Sequence, residues 1–300
     1  MSFSHKKRVL ITGASGLIGK ELEIPLLEAG FEIYALTRNV QSSTNQVKWV
    51  KGDLFNPESL HTIMREIAPE YLLNLAWETT GDYLSSETNY KFLNAGIILL
   101  QEFARNGGKR AIYVGTCFEY KFKDTPLSEN DELDEKKSTY SFCKNALNQL
   151  ASYYCQTHNI SYGYGRIFYV YGRNEDKSRL TGMLVDKLSK NQRVIIKSGS
   201  LYKDYMYTRD IARALVKFLD GKVTGNVNIC SGNAISIKEL SMKIASLMNK
   251  EQLLDFEDEC SSQPPIIVGD NTRMINEVGY TPRYSLSEAL CHILSSPLTV

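Results

Sequence analysis

Tyr140 and Lys144 stand four residues apart, the spacing that puts two side chains on one face of a helix. A tyrosine hydroxyl with a pKa of about 10 is a poor acid or base near neutrality, and a neighbouring ammonium lowers that value by stabilising the phenolate. Such a tyrosine can protonate a forming alkoxide or take the proton of an alcohol. Thr116 adds a hydroxyl that can hold the reacting oxygen. Upstream, Thr12-Gly13-Ala14-Ser15-Gly16-Leu17-Ile18-Gly19 carries glycines at spacings of three and three. Glycines so spaced allow a tight turn and let backbone N–H groups approach a pyrophosphate, with a helix N-terminus behind them. Each feature alone is ordinary. In this order on one chain they specify redox chemistry with a dinucleotide.

Those residues need a scaffold that brings 13–19, 116 and 140–144 together. Residues 8–12 form a short β-branched run ending in glycine, which reads as a buried strand. Residues 17–29 have helical spacing, with Leu17, Ile18, Leu22, Leu26 and Leu27 on one side, Pro25 inside and Gly30 as the stop. Strands are predicted at 31–36, 47–51, 71–76, 110–114 and 160–168, and helices at 57–67, 89–104 and 140–156. Alternation with short links means an α/β fold with a doubly wound parallel sheet. Thr116 then lies at the carboxyl edge, where such sheets bind ligands. After Tyr171 the alternation loosens: 179–190, 207–219, 236–248 and 286–294 read as helices and 227–230 as a strand. The chain reads as a dinucleotide-binding (Rossmann) domain of residues 1–170 plus about 205–235, with a smaller interleaved C-terminal substrate lobe of about 171–204 and 236–300.

The end of the second strand bears on the cofactor. A ribose 2′-hydroxyl is usually held there by a carboxylate. Here Leu36-Thr37-Arg38-Asn39 offers none. Arg38 can pair with a 2′-phosphate, with hydroxyls of Ser42, Ser43 and Thr44 nearby, which favours NADP(H) and leaves NAD(H) open.

Composition removes other classes. With 35 basic and 34 acidic residues the net charge is +1, and no charge block makes an electrostatic case for nucleic acid or an anionic membrane. No apolar run approaches the roughly 18 residues of a membrane span. Lys6-Lys7-Arg8 followed by an apolar stretch imitates a signal peptide, but Thr12, Gly13, Ser15 and Gly16 interrupt it and no small-residue cleavage site comes after it. The expectation is a cytoplasmic protein. Cys117, Cys143, Cys155, Cys230, Cys260 and Cys291 lack metal or redox spacing and read as reduced packing residues, and the four histidines make no pair; no metal site is expected.

On these residues the chain resembles the extended short-chain dehydrogenase/reductases over almost its whole length. Gly52-Asp53-Leu54 is similar to the family segment whose aspartate holds the adenine, and Asn74-Leu75-Ala76 to the strand end along the cofactor. Asn94 falls at the family's structural asparagine. Arg166 to Gly172 resembles RxFNVYG, and Lys203-Asp204-Tyr205 with Thr208-Arg209-Asp210 resembles RDF…V-D; Asn228 to Ile237 and Gly279 to Pro282 resemble two C-terminal segments. The resemblance implies a nucleotide-diphosphate sugar as substrate, and a homodimer formed through helices 89–104 and 140–156, where exposed Leu147 and Leu150 would be covered. It implies cofactor contacts from Gly13, Ser15, Gly16, Leu17, Ile18, Gly19, Arg38, Asp53, Leu54, Leu75, Ala76 and Lys144. Trp77, Glu78, Thr116, Tyr169, Arg179, Lys203 and Arg209 are the candidates for substrate, Thr79 and Tyr83 after the fourth strand are also placed to line the sugar pocket, and Arg173 is a further candidate for the anion. The chain departs from the family pattern at Tyr169 (usually Asn), at Lys203 (usually Arg), and at Gln263-Pro264-Pro265-Ile266, where a basic residue is usual.

The residues directly after Thr116 narrow the reaction. The family's 4,6-dehydratases place Asp-Glu there as acid and base, whereas this chain has Cys117-Phe118. The double epimerases use a Cys and a His; in register the cysteine position is Phe118, and Tyr171-Gly172-Arg173-Asn174 has no histidine. A reduction of a C4 ketone by NADPH is expected, as in the 4-keto-6-deoxysugar reductase branch, abequose and paratose synthases included. A 4-epimerase with tightly bound NAD, a C4 dehydrogenase and a non-catalytic dinucleotide sensor are the alternatives.

Overall fold

Short runs of Val, Leu and Ile that end in a glycine or a polar residue form the centre of the computed structural model, which describes residues 7–39, 46–134, 136–257 and 266–295. Seven strands make one sheet: β1 (Lys7–Thr12), β2 (Phe31–Thr37), β3 (Val47–Lys51), β4 (Tyr71–Asn74), β5 (Arg110–Thr116), β6 (Ser161–Ile167) and, far along the chain, β10 (Gly225–Ile229). Their order is β10-β6-β5-β4-β1-β2-β3, and every pairing is parallel. The order reverses between β1 and β4, which opens a crevice at the carboxyl ends of those strands. Both faces are covered, so the strands read as nearly continuous apolar runs. One face packs on α1 (Glu23–Glu28) and α6 (Thr208–Asp220), the other on α2 (Pro57–Ile67), α3 (Thr88–Arg105) and α4 (Thr139–Thr157). This is the doubly wound fold expected from the alternation.

A second group of elements stands beyond the crevice. It comprises β7 (Tyr169–Tyr171), α5 (Leu180–Ser189), β8 (Val194–Lys197), β9 (Tyr202–Tyr207), β11 (Ala234–Ser236), α7 (Ile237–Leu247), β12 (Leu254–Glu257), β13 (Ile266–Ile267) and α8 (Leu286–Leu294). Strand β9 pairs with β7, β11 and β13, while β8 pairs with β12. No period-2 alternation marks Tyr202–Tyr207 in the sequence, because Lys203 and Asp204 are both buried and the usual polar-out pattern is lost. Asp204 is held there by the backbone N–H groups of Ser231 (2.8 Å), Gly232 (3.0 Å) and Gly269 (3.1 Å).

Two expectations change. The predicted helix 17–29 is a 3₁₀ turn at Gly19–Glu21 followed by a six-residue α1. Pro25 does not break α1, because it falls in the first turn, where its missing N–H is not needed. The second concerns α3 and α4. Leu147 is 2% exposed, packed on Gly96 of α3, where an added Cβ would lie 2.8 Å from the leucine methyl. Leu150 remains 54% exposed. Asn94 is exposed, and the buried asparagine of α3 is Asn89. Among the described residues no helix is long and apolar enough to cross a membrane. Ser42, Ser43, Thr44, Cys260 and Gln263 to Pro265 lie outside the described residues.

Candidate active site

The crevice is a cavity of about 880 Å³ running along the carboxyl ends of β1, β2, β4 and β5. At one end the glycine turn forms its floor. Gly13 has φ +73°, and a Cβ there would lie 2.9 Å from the backbone N of Ala76; a Cβ on Gly19 would lie 2.2 Å from the carbonyl oxygen of Gly13. Only glycine allows the turn to close and bring the end of β4 against it. The Thr12 hydroxyl locks this junction by accepting from Ala76 N at 3.2 Å and donating to Asn74. Because α1 is short and displaced, the backbone N–H groups of the turn, rather than a long helix dipole, make this an anion cradle. Lys20, directly after the third glycine, also lines it; its place in the motif was the available signal.

All the residues predicted for the cofactor line this one cavity: Gly13, Ser15, Gly16, Leu17, Ile18, Gly19, Arg38, Asp53, Leu54, Leu75, Ala76 and Lys144. Arg38 is exposed just past β2, at the cavity edge. The cradle, the apolar strand ends and Asp53 fit a dinucleotide in shape and polarity.

At the other end stand Thr116, Tyr140 and Lys144. Helix α4 starts at Ser138, whose hydroxyl accepts from Ser141 N at 3.1 Å. Its buried stripe runs Tyr140, Cys143, Lys144, Leu147, Ala151, Cys155, so the pair at positions 140 and 144 faces the cavity as its spacing predicts. Thr116 ends β5 and caps the next turn, its hydroxyl accepting from Phe118 N at 3.2 Å. Against the lowering expected from Lys144, burial pushes the Tyr140 hydroxyl well above its ordinary range; Tyr83 adds to this and a hydrogen bond with Thr116 opposes it. Burial likewise brings the Lys144 ammonium down to about 7. Lys144 donates to the Val114 carbonyl at 2.7 Å and lies 4.3 Å from the Trp77 ring centre and 5.9 Å from that of Tyr140.

Glu119 fixes Thr116 from behind. One carboxylate oxygen accepts from Thr116 N (2.9 Å) and from the Tyr164 hydroxyl (2.8 Å); the other accepts from Arg166 Nε (2.9 Å). The pair is fully buried. This support residue was not singled out from sequence, although its offset of three from Thr116 is that of a capping box.

Of the residues predicted for substrate, Trp77, Glu78, Thr116, Tyr169 and Arg179 line the cavity, as does Arg173. Arg179 donates to the Thr79 carbonyl at 2.8 Å and faces the Tyr83 ring. The Tyr169 hydroxyl is buried and has no hydrogen-bond partner. Lys203 and Arg209 do not reach the cavity. Lys203 is 2% exposed with its ammonium 5.6 Å from the Tyr169 ring, so Tyr169 presents to the cavity in its place. Arg209 opens α6 and is drawn away by Glu21 at 3.2 Å. Thr79 and Tyr83, read from sequence as pocket-lining residues, line the cavity too, whereas Phe92 and Phe118 were missed, aromatic rings whose types alone are indistinguishable from packing residues.

A doubly wound sheet with a glycine cradle and a Thr–Tyr–Lys constellation defines a class of dinucleotide-dependent enzymes. The profile of the NAD dependent epimerase/dehydratase family matches residues 9–230, and the chain belongs to that family, the extended short-chain dehydrogenase/reductases. Among curated relatives, a dTDP-4-dehydro-6-deoxyglucose reductase of Escherichia coli is 26% identical, covering 98% of each chain. A CDP-abequose synthase of Salmonella typhimurium is 21% identical, over 96% of this chain and 98% of that one. Among solved structures, a UDP-glucose 4-epimerase of Thermotoga maritima with UDP-glucose superposes with a TM-score of 0.86 at 19% identity, covering 94% and 96% of the two chains. A dTDP-glucose 4,6-dehydratase of Streptomyces venezuelae with NAD bound gives 0.85 at 19%, covering 96% of each.

Proposed function

We propose that this enzyme is an NADPH-dependent reductase of the C4 ketone of a nucleotide-linked 4-keto-6-deoxy sugar. The observation that carries the reading is the wall beside the reacting groups. After Thr116 come a buried thiol, its pKa pushed up to about 12 by burial, and the Phe118 ring on the cavity. Neither can serve as the second acid or base that removing water requires, so the chemistry left is one hydride and one proton. Arg38 at the end of β2, with no carboxylate beside it, supports the 2′-phosphate of NADPH. Two relatives matched over nearly their whole length carry reductase and abequose synthase names, which agrees with this class.

When bound, the nicotinamide supplies the hydride to C4. Tyr140, kept protonated at neutral pH by its burial, gives its proton to the C4 oxygen, and an alkoxide is the stronger base of the two. The Thr116 hydroxyl holds that oxygen. Lys144 holds the nicotinamide ribose and stabilises the phenolate left on Tyr140. Arg173 and Arg179 are the cations for the diphosphate, and the unpartnered Tyr169 hydroxyl takes a substrate oxygen. Exposed Phe142, Leu150 and Tyr153 along α4 support a homodimer through α3 and α4.

The test is loss of reduced-nicotinamide absorbance with CDP-, dTDP- and GDP-linked 4-keto-6-deoxysugars, run with NADPH and with NADH. Consumption of NADPH with one of them is expected, and Tyr140→Phe should cut turnover by about 10²–10⁴ with little change in NADPH affinity. No consumption, with NAD released on denaturation, would establish an epimerase instead and overturn the reading of Arg38.

A further inference from the structure

Trp77 is held more firmly than a loop residue beside a cavity requires. Its Nε1–H donates to Asn89 Oδ1 at 2.7 Å, and Asn89 is itself buried and anchored to the carbonyls of Tyr83 (2.7 Å) and Ser86 (2.8 Å). Phe92 stacks on the indole at 5.2 Å with an interplanar angle of 21°. The Lys144 ammonium lies over the indole as well, 4.3 Å from the ring centre. Lys144 is 4% exposed, and its ammonium also donates to the Val114 carbonyl and lies 5.9 Å from the Tyr140 ring centre. We infer that Trp77 is a positioning residue: its indole holds the Lys144 ammonium, charged and dry, at the point from which it serves Tyr140 and the ribose.

An ammonium taken out of water loses its hydration, and a ring face returns part of that stabilisation. The other groups around Lys144 do less. Glu119 favours the charge but is already committed to Arg166, Thr116 N and the Tyr164 hydroxyl. The Tyr164 hydroxyl also reaches the backbone carbonyl of Lys144, and Tyr140 lies one turn back on the same helix. Glu78, next to Trp77, is exposed. Without the indole, the lysine would hold its proton less well and swing more widely.

This rests on the role proposed above for Lys144, and the first test does not use that role. The chain has two tryptophans, and Trp49 lies in β3 away from the cavity. In Trp49→Phe the emission reports Trp77 alone. It should titrate with a midpoint near 7, and adding Lys144→Met should abolish the titration. A titration that persists unchanged with Lys144→Met, or none at all with Lys144 present, overturns the inference whatever reaction the enzyme catalyses. In turnover, Trp77→Leu should lower kcat about tenfold and move the alkaline loss of activity toward acid by about one pH unit, while Trp77→Phe, which keeps a ring face, restores part of both. Equal losses in Leu and Phe variants with no movement of the pH limb would mean a packing role only, and would refute the positioning role.

Discussion

Replacing Glu119 by Gln alters one atom and one charge beneath the reacting groups. The carboxylate accepts from three donors, Thr116 N, the Tyr164 hydroxyl and Arg166 Nε. A glutamine has one accepting oxygen and one NH₂. With the NH₂ toward Arg166, two donors face each other; with it toward Thr116, the backbone N–H at the site is orphaned. In either orientation the Arg166 charge, fully buried, loses its counter-ion. Removing one partner of such a pair costs about 3–5 kcal/mol. Unfolding entropy of about 2.1 cal/mol/K per residue makes roughly 0.6 kcal/mol/K for the 300-residue chain, so Tm should fall by roughly 5–8 °C. Scanning calorimetry at neutral pH reads this directly, and turnover should fall with it because Thr116 loses its anchor. Replacing both partners, Glu119→Met with Arg166→Met, removes the stranded charge and should recover part of the loss. A fall under about 2 °C for Glu119→Gln, or a double variant less stable than the single by the full cost again, would refute the account of this pair as a charge that needs its partner.

The same geometry sets three further outcomes. Gly19→Ala puts a Cβ 2.2 Å from the Gly13 carbonyl oxygen and 2.6 Å from Ala14 Cα, backbone atoms that cannot rotate aside, so dinucleotide affinity by calorimetric titration should fall by about a hundredfold or more while the chain still folds. Lys144 is lowered by burial from 10.5 to about 7. Below the lower value both folded and unfolded chains carry the proton and the burial cost is fully present; between the two values only the unfolded chain carries it, so this group makes stability rise with pH. Lys144→Met should therefore raise Tm more at about pH 6 than at about pH 9. Glu175 has the reverse sign: burial raises it from 4.5 to about 7, so its folded form holds a proton that the unfolded form sheds, and stability falls as pH climbs through that window. Glu175→Gln should raise Tm at about pH 8 and leave it unchanged near pH 4; equal shifts at both would refute the assignment.

The strands and the glycine turn were legible because their signals are local. Strands buried on both faces leave unbroken apolar runs, and a turn that needs φ +73° at Gly13 must be written in glycine. Tyr140 and Lys144 were legible because an offset of four is one turn of any helix. The broken helix at 17–29 was not, since its apolar spacing survives in a 3₁₀ turn and a short α1 that must both fit under the cavity floor. Nor were strands β8, β9, β11, β12 and β13, short pieces that are strands only because the fold brings their pairing partners beside them.

The sequence by itself thus determined the fold class, the glycine turn and the spacing of the candidate catalytic residues, all of which depend on contacts within a turn or two of the chain. Tertiary structure alone decided that Lys203 lies against the Tyr169 ring and Arg209 pairs with Glu21, neither lining the cavity, that Glu119 grips Arg166 across 47 positions, and that an indole from the end of β4 sits over the ammonium of α4. Such contacts join segments brought together only by the sheet order, and long charged side chains turn toward whichever partner that packing puts within reach.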